Sequence, residues 1–81
     1  MTFKTLKTIK KILEKEIIGL ENNIGLFEAE LEPLELKEDI GEISDYEKEA
    51  LELYRKEKMQ NLKKLYETRE ALEIFLNHDW H

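Results

Sequence analysis

The stretch FKTLKTIKKILEKEIIGLENNIGLFEAELEPL, residues 3–34, decides the fold. Its apolar residues recur alternately three and four apart, at Phe3, Leu6, Leu13, Ile17, Leu20, Ile24, Phe27, Leu31 and Leu34, with Lys10 the one polar member of the series. A strand would need period-two alternation, and none persists beyond a few residues. Spacing that averages about 3.5 residues keeps every member on one stripe of a helix, facing a partner helix as the a and d positions of a coiled coil do. Thr2 supplies an N-cap hydroxyl. Gly19, Asn22, Asn23 and Gly25 lower helix propensity and leave open an alternative in which two shorter helices meet at a loop. All four stand off the stripe, and the register passes through them unbroken, so a continuous first helix is expected over about 2–32.

Pro33 has no N–H to donate and disfavours helical geometry at Glu32. The first helix is therefore expected to stop or kink there, with a connection over about 33–44. Ser44-Asp45-Tyr46-Glu47 then places a hydroxyl at an N-cap and a carboxylate three residues on, the pattern of a capping box. Asp45, Glu47 and Glu49 suit the positive end of the helix dipole. A second helix over about 45–77 carries a broad stripe of Tyr46, Ala50, Leu51, Tyr54, Leu62, Leu65, Leu72, Phe75 and Leu76. Lys58, Asn61 and Arg69 project from that same side, so its face either snorkels long chains past the contact or holds a polar layer.

Two helices of this length joined by a short connection fold back on each other. The expected architecture is all-α: an antiparallel two-helix hairpin with a coiled-coil-like heptad seam. Alignment across the turn pairs Phe27 with Leu51, Ile24 with Tyr54, Ile17 with Asn61, Leu13 with Leu65, Leu6 with Leu72 and Phe3 with Phe75.

One facing helix covers one stripe only. Ile9, Ile12, Ile18 and Leu26 stand beside the first stripe, and Leu53, Met59, Tyr66 and Ile74 beside the second. Left in water, each forgoes roughly 1.5–3 kcal/mol of burial, which in sum rivals the whole stability of a small domain. A second copy is the economical cover, pairing two hairpins into a four-helix bundle. Ile9, Ile12, Ile18, Leu26 and Ile74 are the expected interface of that homodimer; a different protein partner would use the same apolar flank. Isolated exposed apolar residues on a monomer are the bland alternative.

At 81 residues the chain has room for one domain and a small core. It has no cysteine, which excludes disulfides, thiol catalysis and cysteine-ligated metals. Charged residues make up 40% and Gly plus Pro only four positions, a long-helix profile. No apolar run approaches a membrane span, and the lysine-interrupted start does not read as a signal peptide, so a cytoplasmic protein is expected.

Charge is sorted along the chain. Residues 28–52 hold eleven acidic side chains against Lys37 and Lys48, a local net of −9, so the turn end is acidic. Lys4, Lys7, Lys11 and Lys15 share a face of the first helix, and Arg55, Lys56, Lys58, Lys63 and Lys64 form a second basic group. Such a dipole favours antiparallel packing of two copies, an acidic tip beside a basic region. A net charge of −6 argues against direct nucleic acid binding. It leaves room for an acidic decoy whose Glu35, Glu38, Asp39 and Glu42 occupy the basic groove of a nucleic-acid-binding protein. Residues 2–18 segregate apolar and lysine faces as an interfacial helix does, but the hairpin already uses that apolar face.

Phosphate loops, nucleophile elbows and zinc-protease motifs are missing, and Ser44 is explained as a cap, so no enzyme and no cofactor are expected. His78, Asp79 and His81 allow at most a weak metal site. The preferred reading has Trp80 packing back on the bundle near the start of the first helix. The function expected is therefore a non-enzymatic helical protein-interaction or assembly module.

Overall fold

A computed structural model describes residues 2–78 of the chain. Asp79, Trp80 and His81, and with them the expected tryptophan packing and most of the conceivable metal site, lie outside the described residues. Two α-helices, α1 (Phe3–Asp39) and α2 (Asp45–Asn77), pack against each other as a hairpin of 60 × 16 × 15 Å.

Local chemistry sets the ends. The Thr2 hydroxyl accepts a hydrogen bond from the Thr5 N–H at 3.2 Å and caps α1. At the other end Gly41, with φ of 73°, takes the left-handed conformation that L side chains resist. Its N–H donates to the Glu38 carbonyl at 3.1 Å, and the Glu42 N–H reaches the Lys37 carbonyl at 2.9 Å. This is the Schellman pattern, which satisfies carbonyls that the helix end would otherwise orphan. The capping box expected at Ser44 is present: Glu47 N–H donates to Ser44 Oγ at 3.1 Å, and Ser44 N–H to Glu47 Oε1 at 3.2 Å.

The first helix does not stop at Glu32 as expected. It runs through Pro33 for seven further residues to Ile40, its C-cap, and the connection shrinks to 40–44. Pro33 lies on the exposed side, as does Ala29, to whose carbonyl a proline nitrogen has no hydrogen to donate, so the missing bond falls on the solvent side and not in the contact. Leu31 is buried and Leu34 half-buried on the other side, so ending the helix early would have stripped cover from the start of α2. The chain is also helical through Gly19, Asn22, Asn23 and Gly25 without a break.

The core is narrow. Leu20, Ile24, Leu31, Leu51 and Leu65 are buried, and Ile17 and Leu62 pack against the central cluster of Leu20, Ile24 and Leu65. Leu65 was expected opposite Leu13, seven residues earlier in the chain than Leu20. Phe27 meets Tyr54 instead of Leu51, with ring centroids 6.2 Å apart. The alignment slides by about one heptad because the turn sits at 40–44 instead of around residue 39. A slide of that size still brings apolar positions onto apolar positions, so it costs little in packing. It does cost the ends: α2 closes at Asn77, and Phe3 is 78% exposed instead of covered by Phe75. Tyr46 and Leu76, expected on the buried stripe of α2, are exposed as well.

Polar groups enter the contact on satisfied terms. Thr68 is buried and donates its hydroxyl to the Lys64 carbonyl at 2.8 Å. Asn61 Nδ2 donates to the Glu57 carbonyl at 2.7 Å. Among the described residues no buried side-chain polar atom lacks a partner.

Candidate interaction surfaces

The hairpin has two broad sides, and they differ. Glu21 pairs with Arg69 at 3.5 Å, Glu28 with Lys58 at 3.5 Å, and Arg55 with Glu35 at 3.7 Å and Glu38 at 3.1 Å. All four of these inter-helix pairs flank the contact on one side, spread from mid-hairpin to the turn. Such half-exposed pairs are individually weak. As a row they fix the alignment of α1 against α2, because a slip by one turn separates every pair. Nearest the turn, Lys37 Nζ donates to Glu47 Oε2.

Helical geometry assigns the apolar side chains to the two sides. At about 100° per residue, positions two apart lie about 200° apart around the helix. Leu26 precedes Glu28 by two residues and Leu53 precedes Arg55 by two, so both face away from the ion-paired side. Ile12, nine residues before Glu21, lies about half a turn round from it, and Ile74, five after Arg69, is displaced by about 140°. These four are 58%, 66%, 54% and 63% exposed in chain order Ile12, Leu26, Leu53, Ile74.

The five residues expected as one oligomer interface are spread around the outside of the hairpin. Ile12, Leu26 and Ile74 share the apolar side and Ile9 stands half-buried at its edge. Ile18 precedes Glu21 by three residues and so lies on the ion-paired side, together with Tyr66, three before Arg69. Position beside a stripe gave no hint of which flank each residue would take. The charged residues that mark the sides gave one: the Glu–Arg and Glu–Lys partners become evident once α1 is aligned on α2.

The four acidic residues expected as a partner surface are also dispersed in role. Glu35 and Glu38 both engage Arg55, whose guanidinium is held more firmly protonated, first by the hydrogen bond to Glu38 and against a smaller cost of burial. Glu35 and Asp39 line an open groove with Glu28, Glu32, Leu31, Leu36 and Lys58. Glu42 belongs to the turn, its N–H taken by the Lys37 carbonyl. The Glu47 carboxyl is held below the usual carboxylate range, chiefly by the Lys37 hydrogen bond and then by the backbone and hydroxyl of Ser44. Both shifts keep a group in its ordinary charged form, which is the mark of ion pairing and not of a group poised to exchange a proton.

Among the described residues no set of three or more histidines and carboxylates is placed to hold a metal ion, and no helix is long and apolar enough to cross a membrane. Comparison with protein-family models, with curated proteins and with solved structures gives no match.

Proposed function

We propose that this chain is a non-enzymatic, cytoplasmic helical assembly module in which two hairpins pair through exposed apolar helix faces into a four-helix bundle. The observation that carries the reading is the exposure of Ile12, Ile18, Leu26, Leu53, Met59 and Ile74, each more than half exposed, on a hairpin in which five aliphatic side chains are buried among the described residues. A core this small leaves a domain marginal, and a second copy offers the burial it lacks. Within each hairpin the helices meet along a coiled-coil seam. Among the buried or half-buried positions of α2 the series 51, 54, 58, 61, 65, 68, 72 and 75 alternates three and four apart, with 47, 50, 57 and 62 half-buried beside it, and the covered positions of α1 from Leu13 to Leu34 alternate likewise, which supports this. Sedimentation equilibrium together with circular dichroism tests the reading, since it requires a helical dimer.

A second reading is favoured by the groove at the turn end, where Glu28, Glu32, Glu35 and Asp39 stand around Leu31 and Leu36. In it the acidic tip is a decoy that occupies the basic groove of a nucleic-acid-binding protein. Replacing Glu35, Glu38, Asp39 and Glu42 with their amides distinguishes the two in a pull-down. A decoy loses its partner in that variant and as salt rises, whereas an apolar contact keeps it.

A further inference from the structure

The assembly reading leaves open which side of the hairpin is covered and in which direction the copies run. Resting on that reading, we infer that a second copy of this chain seats on the side bearing Ile12, Leu26, Leu53 and Ile74, antiparallel to the first, with the ion-paired sides facing outward.

The choice of side follows from what each would have to give up. The other side carries the cross-helix row Glu21–Arg69, Glu28–Lys58 and the Arg55 pairs, and covering it would strip water from these seven part-exposed charged groups, whereas the side bearing Leu26 and Leu53 holds one cross-helix pair, Lys37–Glu47 at the turn, besides Glu30, Glu57 and Glu67, each two residues from a member of the row. The apolar side carries exposed aliphatic residues at both ends and in the middle: Ile12 and Ile74 flank the open end, Leu26 the centre and Leu53 the turn end. They thus run along the 60 Å length of a body about 16 Å wide. A side of those dimensions is of the order of the ~800 Å² per partner that a specific interface buries.

The direction follows from charge. Residues 28–52 carry a net −9, and the remainder of the chain is net +3, the difference between −6 and −9. A parallel dimer sets two acidic tips side by side. An antiparallel one lays each tip along the lysine-bearing open end of its partner, so the long-range field favours it at encounter and in the complex.

The test uses the full chain and exposed positions, so each variant is first checked for unchanged helicity. Leu26→Glu and Leu53→Glu are each expected to weaken self-association by on the order of tenfold or more, while Ile18→Glu and Tyr66→Glu leave it within about twofold. Because the chain has no cysteine, single introduced thiols report direction without competition. A mixture of Thr5→Cys and Glu42→Cys proteins should give the mixed disulfide on oxidation, and Glu42→Cys alone should give little of its own disulfide. Loss of the dimer on Ile18→Glu but not on Leu26→Glu, or efficient tip-to-tip disulfide formation, overturns this inference and leaves the assembly reading standing. A chain that is monomeric at every concentration overturns that reading, and this inference with it.

Discussion

Lys37 and Glu47 join the last turn of α1 to the first turn of α2, the ammonium donating to the same carboxylate that completes the Ser44 capping box. One side chain thus ties the start of α2 to the last turn of α1. The folded state lowers the Glu47 carboxyl below its ordinary range, so the stabilisation is complete above the unfolded carboxylate value and disappears as pH falls through the lower folded one. Thermal melts of the protein should therefore lose stability on acidification through that range. The loss should be shallower in Lys37→Met, and equal acid slopes for the two proteins would show that the contact contributes nothing.

Pro33 sits within α1 on the exposed side, where it removes one helical hydrogen bond without contributing to the buried contact. Pro33→Ala should accordingly stabilise the hairpin, by about 1–3 kcal/mol. Chemical denaturation measures this, and a decrease in stability would mean that the proline shapes α1 to fit α2.

Two glycine substitutions should act in opposite directions. Gly41 holds a positive φ, so Gly41→Ala is expected to cost about 1–2 kcal/mol although nothing crowds the added methyl. Gly25 is helical and equally uncrowded, so Gly25→Ala should gain about 0.5–1 kcal/mol. The pair of melting temperatures, one lowered and one raised, checks the account of the turn and of the unbroken helix together.

Leu51 is only 1% exposed and is the most completely enclosed side chain described. Leu51→Ala should remove about 2–5 kcal/mol, a large part of the stability of so small a domain. Leu36, 63% exposed, should tolerate the same change to within about 0.5 kcal/mol. Urea unfolding followed by circular dichroism compares them directly.

Much of the fold was legible because its determinants are local and periodic. The stripe from Leu13 to Leu34 and the Ser44 box need only the neighbouring residues, and both stand where the sequence puts them. Two opposed signals lay close together at the end of α1. Pro33 reads as a stop and Gly41 as a C-cap, and the choice turns on whether the turns between them have a partner, which only the start of α2 can provide. A stop at the proline sets the turn centre too early, and the cross-helix pairings shift with it, by three residues at Phe27 and by about one heptad at Leu65. Thr68 does not stand out in the sequence because a hydroxyl breaks an apolar stripe; counting three and four onward from Leu51 reaches it, and its hydroxyl is satisfied by the Lys64 carbonyl. The flank taken by Ile18 was not legible at all, since it depends on where Glu21 finds Arg69.

The central claim is that the hairpin is half of an assembly. Sedimentation equilibrium at micromolar concentration measures it most directly, because mass does not depend on shape. A species of twice 9.7 kDa that dissociates on dilution is expected. A fully helical monomer of 9.7 kDa across the concentration range would contradict it.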